Sequence, residues 1–504
     1  MLQSDFLRQS AQTIPDCVAL EFMDQAMTWR DIDQSVEELA RKLVGAGLKA
    51  GQTVMILSEN SPAFLILTLA IWRASGAAAI VHASVEGAQL DYALQNAKPV
   101  MAFAEREFLS RLRAAIAGNR LATKSFPIDQ NGPVLPRQVS FAAALPEVDP
   151  QALAIIGYTS GTTGRPKPLA LSHRAIATGT TACAAVWRIT AGDRILISMP
   201  MSWLAGLIVL AGTAITQGAT IQLLRKPASS DILDAIERRA TTFFFAPTST
   251  YTRMVRLWQH RPEQRSYRLR CCISGGEARN ETIFREWEHR TGVPVLDSYG
   301  SSECWPFVTH DFGVSRLPPR GSSGKLVNGA QLRLIGADGR VVPDGEVGEA
   351  QGRAPSMMMC YWDEPELTTL AMTDDGWYKI GDYARVDDDG YVYVLGRKSD
   401  AIACEGTLVF PAEIEQVISE LPDVQQVAAV GLPDHSGCEI VAVAVVAVNG
   451  ASLDADRIRA HCASRLQAVA VPCFIHLLGQ LPHNAAGKVL RRDLVPILEA
   501  ARSR

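Results

Sequence analysis

A loop rich in glycine and hydroxyl residues, at 158–167, has a composition suited to binding phosphate. It reads Tyr-Thr-Ser-Gly-Thr-Thr-Gly-Arg-Pro-Lys and follows an apolar run at 152–156 that predicts a strand. Glycines let backbone N–H groups approach a phosphate, hydroxyls add donors, and the Lys167 ammonium adds positive charge. Gly161 and Gly164 lack the GxxxxGK[ST] spacing, so a P-loop NTPase is not predicted. Taken alone, the loop is also compatible with a surface turn.

Further motifs follow this loop along the chain. They are the stretches 274–277 (Ser-Gly-Gly-Glu), 298–303 (Ser-Tyr-Gly-Ser-Ser-Glu), 376–382 (Gly-Trp-Tyr-Lys-Ile-Gly-Asp), 396–400 (Gly-Arg-Lys-Ser-Asp) and 481–488 (Leu-Pro-His-Asn-Ala-Ala-Gly-Lys). Together with the loop they resemble, in order and across nearly the whole chain, the motifs of the adenylate-forming superfamily. That superfamily contains acyl- and aryl-CoA synthetases, adenylation domains of peptide synthetases and luciferases.

The resemblance implies a binding site for ATP. It implies that Tyr299 stacks on adenine, that Ser302 contacts the α-phosphate, and that Asp382 accepts hydrogen bonds from the ribose hydroxyls, with Arg397 beside them. An aromatic face suits a purine, and a carboxylate can accept from two hydroxyls. The residues implied to bind the nucleotide are Thr159, Ser160, Gly161, Thr162, Thr163, Gly164, Lys167, Gly275, Gly276, Glu277, Ser298, Tyr299, Gly300, Ser302, Asp382 and Arg397.

The resemblance also implies how the reaction is catalysed. The carboxylate of the acid attacks the α-phosphorus of ATP, so two anions must approach each other while pyrophosphate leaves. Mg²⁺ held by Glu303 and Thr159, together with the ammonium of Lys488, would place positive charge where negative charge accumulates. Lys488 and Glu303 are therefore the predicted catalytic residues.

For the segment after residue 396, the resemblance implies a mobile C-terminal domain with a hinge at about 398–400. In the family this domain rotates after adenylation and presents a second face to a thiol. The pivot is normally Asp or Lys, whereas this chain has Ser399. Residues 404–406 (Cys-Glu-Gly) replace the SGG common in CoA ligases, whereas the stretch 409–415 follows the pattern of those enzymes. The thiol is therefore left open between CoA and the phosphopantetheine of a carrier protein.

Residues 200–206 (Pro-Met-Ser-Trp-Leu-Ala-Gly) align with the PxxHxxG segment that borders the acyl pocket in the family. Amino-acid-activating members carry an Asp near this point, but no acidic residue occurs between 200 and 217. The flat indole of Trp203 would suit an aromatic or compact apolar acid. The alternative is that Trp203 is simply a large core residue. The predicted pocket residues are Trp203, Ala205, Val209, Ser301 and Phe307.

Composition excludes several other functions. The 504-residue chain is 47% apolar and 20% charged, which is typical of globular proteins. Its formal net charge of −4 gives no basic surface for nucleic acid, and no apolar stretch reaches the ~20 residues of a membrane span. The ten cysteines are scattered without a CxxC pair, and the N-terminal residues resemble no export signal. We therefore expect free thiols and a cytoplasmic location.

The elements that position these motifs are visible in the hydrophobic pattern. Alternating helix and strand patterns up to about residue 310 predict parallel sheets covered by helices, beginning with a capping box at 28–31. A Gly- and Asp-rich region at 321–395 predicts a small antiparallel β unit. The predicted fold class is α/β, with a large N-terminal domain at 1–397 and a smaller, mobile α+β domain at 400–504.

The predicted function is that of an AMP-forming acid–thiol ligase. The chain would activate a carboxylic acid other than an α-amino acid as its acyl-AMP, release pyrophosphate, and form a thioester with CoA. One alternative is a stand-alone adenylation enzyme that loads a carrier protein. Another is a non-catalytic adenylate-binding scaffold, although such a scaffold has no physical need for Lys167, Glu303, Asp382, Arg397 and Lys488 together. The sequence indicates no oligomeric state.

Overall fold

The computed structural model describes residues 1–130, 132–159, 166–258, 267–404, 406–434, 438–448, 451, 453–483 and 489–503. Within these ranges the strands form five sheets, and helices pack against them. The predicted α/β fold class is confirmed, including the small antiparallel unit and the α+β region at the C-terminal end.

The largest sheet has ten strands within the described residues. In spatial order nine of them are Lys325–Leu326, Cys304–Thr309, Val295–Ser301, Cys271–Gly275, Phe243–Ala246, Arg194–Ile197, Thr220–Leu223, Val18–Phe22 and Gln25–Thr28, and Ser356–Met357 pairs with Cys304–Thr309 off this path. The central strands are parallel. Phe243–Ala246 and Cys271–Gly275 are buried along their whole length, as expected for parallel strands covered on both faces.

The second sheet has eight strands in the described part of the chain. Their spatial order is Cys360–Tyr361, Lys167–Ser172, Leu153–Thr159, Ala77–Val81, Thr53–Leu57, Met101–Glu105, Lys124–Asp129 and Gly132–Pro133. Leu153–Thr159 and Lys167–Ser172 are antiparallel, with Thr159 opposite Lys167. This hairpin therefore holds both ends of the predicted phosphate loop.

Three smaller sheets complete the described strands. Gln331–Ile335, Gly348–Arg353, Tyr378–Val386 and Val392–Arg397 form an antiparallel sheet, which is the predicted β unit. Beyond it, Ile402–Cys404 pairs with Thr407–Val409, and a three-stranded sheet contains Val424–Pro433, Glu439–Ala447 and Phe474–Leu477. The predicted hinge falls on the short 3₁₀ helix Lys398–Asp400. The division into domains on either side of it stays a prediction.

Several helices begin after a residue whose side chain caps them, namely Thr28, Ser61, Ser172, Asn280 and Asp454. Thr28 accepts a hydrogen bond from the backbone N–H of Asp31, and the Asp31 carboxylate accepts one from the N–H of Thr28, which confirms the predicted capping box. The α-helices are Gln3–Thr13, Trp29–Gly45, Pro62–Arg73, Gly87–Ala97, Arg106–Gly118, His173–Val186, Thr213–Gln217, Ser229–Arg238, Thr248–Trp258, Glu281–Thr291, Pro365–Ala371, Pro411–Ile418, Ala455–Ala463 and Arg491–Arg502. Ala205–Gly212 is a π-helix, and Ala468–Ala470 is a 3₁₀ helix.

No helix in the described ranges combines the length and the hydropathy needed to cross a bilayer. The apolar stretch around residues 203–215 forms the π-helix and the start of Thr213–Gln217. The expected cytoplasmic location stays a prediction.

Candidate active site

Two of the predicted motifs lie side by side because their strands are parallel neighbours. Cys271–Gly275 pairs with Val295–Ser301, with Gly275 opposite Ser298. The carboxyl ends of both strands therefore meet at one edge of the sheet, the usual position of ligand sites in α/β folds. A Cβ atom at Gly275 would lie 2.7 Å from the carbonyl oxygen of Ser298 and 2.9 Å from the Phe245 ring. Glycine is thus required where these two motifs approach each other.

Tyr299, Asp382 and Arg397 form the first contact cluster, which we call the ribose cluster after its predicted ligand. The Tyr299 hydroxyl donates to Asp382 Oδ2 at 2.7 Å, and Arg397 Nε lies 3.1 Å from Asp382 Oδ1. Asp382 and Arg397 are opposite each other in antiparallel strands, which explains their pairing. Burial, together with the neighbouring Asp382 carboxylate, raises the pKa of Tyr299 well above its ordinary value, so its hydroxyl keeps its proton.

Glu303, Tyr361 and Lys167 form the second contact cluster, which we call the metal cluster after the predicted role of Glu303. The Tyr361 hydroxyl donates to Glu303 Oε1 at 2.7 Å. Lys167 Nζ lies 5.4 Å from the centre of the Tyr361 ring, within the range of a cation–π interaction. Thr159 lies opposite Lys167 in the hairpin. One tyrosine thus connects the predicted phosphate-binding lysine with the predicted metal-binding carboxylate.

Several predicted residues lie outside the described residues. Ser160, Gly161, Thr162, Thr163 and Gly164 of the phosphate loop are among them, as is the catalytic candidate Lys488. Glu405 of the stretch 404–406 is also outside. Their roles stay predictions.

Glu277, the last residue of the glycine-rich motif, has a partner within the protein. Its carboxylate accepts hydrogen bonds from the backbone N–H of Ser249 at 2.7 Å and from the Ser249 hydroxyl at 3.0 Å. Ser249 lies in the first turn of Thr248–Trp258, where a carboxylate is favoured by the helix dipole. Glu277 therefore fastens the glycine-rich turn to this helix, and its predicted contact with the nucleotide stays a prediction.

The predicted acid pocket has a distinctive burial pattern. Between Met201 and Leu210 only Trp203, Ala205 and Val209 are partly exposed, whereas the residues between them are buried. The π-helix holds Ala205 and Val209, and a Cβ atom at Gly206 would lie 2.5 Å from the carbonyl oxygen of Pro200. The predicted pocket residues are therefore the partly exposed positions of this segment, and their contact with the acid stays a prediction.

The other two predicted pocket residues belong to the strand pair around Glu303. Ser301 is partly exposed at the end of Val295–Ser301. Phe307 is buried, and its ring lies 6.0 Å from that of Tyr299, centre to centre. The structure therefore places the Phe307 ring against that of Tyr299, and its role as a wall of the acid pocket stays a prediction.

Sequence reasoning missed Tyr361 and Asn60. Buried Asn60 donates to the carbonyl oxygens of Met199 and Leu224, each at 2.9 Å, and accepts from the N–H of Met201 at 2.6 Å, so it holds the start of the pocket segment. Neither residue lies in a glycine-rich or charged motif. The signal that reveals them is a contact between distant segments, and that contact depends on the fold.

Asp297 is a further buried charge beside the nucleotide motif. It precedes Ser298, and its carboxylate accepts a hydrogen bond from the Ser323 hydroxyl at 2.9 Å. Burial raises its pKa to about 6, although Arg279 at 3.8 Å opposes the rise. The hydrogen bond from Ser323 thus connects the strand that carries Tyr299 to a neighbouring segment, although burial disfavours the charged form of Asp297.

Comparisons with known proteins identify the family of the chain. A family model described as AMP-binding enzyme matches residues 7–362, and a second, described as AMP-binding enzyme C-terminal domain, matches residues 413–488. The chain belongs to the AMP-binding enzyme family. The predicted membership of the adenylate-forming superfamily is thereby confirmed.

Relatives of this AMP-binding enzyme match over nearly their whole length. It is 30% identical to an indoleacetate–CoA ligase of Aromatoleum aromaticum, with 97% of each chain covered. It is 28% identical to a feruloyl-CoA synthase of Amycolatopsis, with 96% of each covered. The crystal structure of ATP-bound MatB from Rhodopseudomonas palustris superposes with a TM-score of 0.88 at 27% identity, with 99% of each chain covered. The predicted activity as an AMP-forming acid–CoA ligase is confirmed at the level of the family.

Proposed function

We propose that this enzyme activates an aromatic or compact apolar carboxylic acid with ATP and transfers the acyl group to CoA. The observation that carries the proposal is that the ribose cluster and the metal cluster share the segment 298–303. Tyr299 belongs to one cluster and Glu303 to the other. A nucleoside and its phosphates can therefore be bound side by side along one short stretch of chain.

The oxygen donors at this site fit Mg²⁺ that arrives with the nucleotide. Glu303 supplies a carboxylate and Thr159 a hydroxyl, and Mg²⁺ typically combines one or two carboxylates with phosphate oxygens. Glu303 is buried, so a cation there would act in a medium of low dielectric constant. When bound, Mg²⁺ would neutralise negative charge on the phosphates.

The residues of the chain would divide the work of adenylation. Tyr299, Asp382 and Arg397 would hold the nucleoside, and Lys167 would bind the phosphates. Lys488 would approach from the C-terminal region and contact both the incoming carboxylate and the α-phosphate, where charge develops. The role of Lys488 rests on the resemblance of its motif.

The proposed class of acid follows from the pocket segment. Trp203, Ala205 and Val209 are apolar, partly exposed, and without an acidic residue nearby in sequence to pair with an ammonium group. The relatives named above include enzymes for indoleacetate and for the feruloyl group, both of which contain an aromatic ring. An aromatic acid without an α-amino group therefore fits best.

A panel of acids tests the proposal. We expect pyrophosphate release with aromatic acids such as indoleacetate, and AMP release that requires CoA and no carrier protein. Turnover restricted to α-amino acids, or acyl transfer only to a carrier protein, would contradict it. ATP binding without any acid-dependent pyrophosphate release would instead indicate the non-catalytic scaffold.

A matched pair of variants tests the pocket itself. Val209→Phe should narrow the pocket and shift the preference toward smaller acids, since Val209 is partly exposed on the π-helix. The control is Ile208→Val, because Ile208 is fully buried in the same helix. Equal changes in the acid preference of both variants would contradict the proposal that Val209 lines the pocket.

A further inference from the structure

Tyr361 lies where the two large sheets are joined. Cys360–Tyr361 pairs with Lys167–Ser172 of the eight-stranded sheet, with Tyr361 opposite Leu169. A few residues earlier, Ser356–Met357 pairs with Cys304–Thr309 of the ten-stranded sheet. The stretch 356–361 therefore links both sheets, and its last side chain is only 1% exposed.

The backbone around Tyr361 is held from several directions. Its own N–H donates to the Thr368 hydroxyl at 3.0 Å. The next residue, Trp362, donates its N–H to the carbonyl oxygen of Pro168 at 2.6 Å and accepts from the Asn96 amide at 2.7 Å. Because this backbone is fixed and the side chain of Tyr361 is buried, its hydroxyl has few other positions available.

Glu303 meets this donor with one of its two carboxylate oxygens. Tyr361 donates to Oε1, and the backbone N–H of Met358 donates to the carbonyl oxygen of Glu303 at 2.9 Å. The stretch 356–361 thus fixes both the backbone and the side chain of Glu303. A phenol is a neutral donor, so the carboxylate keeps its full negative charge for a cation, which an arginine partner would have cancelled.

We propose that Tyr361 is a positioning residue for the metal-binding carboxylate of Glu303. Its hydroxyl orients the carboxylate for the cation that accompanies ATP, and its ring faces the Lys167 ammonium. The proposal rests on the proposed function, because Glu303 binds Mg²⁺ only if that function is right. Groups that orient a metal ligand typically change metal affinity by about 10- to 100-fold when removed.

Tyr361→Phe tests the proposal, because it deletes the hydroxyl and keeps the ring. Isothermal titration would measure ATP binding at a series of Mg²⁺ concentrations and in EDTA. We expect the Mg²⁺ concentration needed for tight binding to rise about tenfold or more. Binding in EDTA and the melting temperature should stay close to those of the wild type. A purely structural role would change all three.

A double-mutant cycle separates the hydroxyl from the carboxylate. Glu303→Gln should also raise the Mg²⁺ concentration needed for tight ATP binding. In that background Tyr361→Phe should raise it little further, because the carboxylate that the hydroxyl orients is gone. Tyr251→Phe is the matched control, since Tyr251 is also buried and donates to the carbonyl oxygen of Ile273 at 3.0 Å. It should leave the Mg²⁺ dependence unchanged.

The outcomes distinguish the inference from the function beneath it. If the wild type binds ATP in a Mg²⁺-dependent manner and Tyr361→Phe does so equally well, the positioning role is wrong and the proposed function stands. Fully additive losses in the double variant would also overturn the positioning role. If Mg²⁺ has no effect on ATP binding by the wild type, the proposed metal site and the inference both fail.

Discussion

The ribose and metal clusters and the predicted hinge are built from different kinds of contact. In the clusters, side chains far apart in sequence touch directly: Tyr299 contacts Asp382 across 83 residues, and Tyr361 contacts Glu303 across 58. At the hinge, exposed Ser399 donates only to the neighbouring Asp400 carboxylate among its described contacts, at 2.9 Å.

The residues on either side of Ser399 form ion pairs with different parts of the chain. Lys398 Nζ lies 2.6 Å from Glu349 in the four-stranded sheet, and Asp400 lies 3.4 Å from Arg491 in the C-terminal helix. Arg491 in turn makes two contacts with Glu415, at 2.7 and 2.8 Å. The two clusters are therefore held by contacts between distant segments, whereas Ser399 lies between two residues that pair with different parts of the chain. Rotation at Ser399 stays a prediction.

Lys488→Ala should produce the largest effect. If the C-terminal region delivers the catalytic cation, ATP–pyrophosphate exchange with the preferred acid should fall by about 10² to 10³-fold. ATP binding should change little, since the clusters lie in the N-terminal region. The control is Lys49→Ala, an exposed lysine. Near-normal exchange by Lys488→Ala would show that Lys488 is not required for adenylation.

Arg491→Met should produce the next effect, on stability. It leaves the Glu415 carboxylate, 15% exposed, without its cation. Burial already raises the pKa of Glu415, and the arginine opposes that rise. We expect the free energy of unfolding of the C-terminal region to fall by about 3 kcal/mol, which calorimetry would show as a lower melting temperature.

The matched control for this variant is Arg457→Met, whose partner Asp423 is more exposed. This control should lower the free energy of unfolding by less than about 1 kcal/mol. Equal shifts in melting temperature for both variants would show that the anchor beside the hinge is no stronger than an ordinary surface pair.

Asp382→Asn should weaken ATP binding about tenfold or more. The variant keeps the shape of the side chain, but it removes the charge that faces Arg397 and one acceptor for the ribose hydroxyls. Isothermal titration would measure the change. Asp375→Asn is the control, because Asp375 pairs with Arg333 on the exposed side of the same β unit. A change of similar size in the control would argue against the ribose cluster.

Lys398→Met should have the smallest effect. In the Lys398–Glu349 pair the lysine side chain is largely exposed. Loss of the pair should therefore lower the free energy of unfolding by less than about 1 kcal/mol. Pyrophosphate exchange should change less than about twofold. A large drop in exchange would mean that this anchor also controls adenylation, and the contrast between the two regions would disappear.

Much of the fold was accessible from the sequence because local patterns agree with it. The capping box at Thr28 and the buried face of Trp29–Gly45 follow from residue types at helical spacing. The strands at 53–57 and 77–81 follow from short apolar runs bounded by turns. The family motifs indicated Tyr299 and Glu303 in one segment and Asp382 in another, without showing which side chains touch.

The sequence by itself determined the residue types that can bind a nucleotide, the order of the motifs and the family. Only the tertiary structure decided that Tyr361 meets Glu303, that Asn60 holds the segment before Trp203, and that the Phe307 ring contacts that of Tyr299. The reason is physical. A helix or strand follows from neighbours along the chain, whereas these contacts depend on which strands become adjacent when the two sheets are joined.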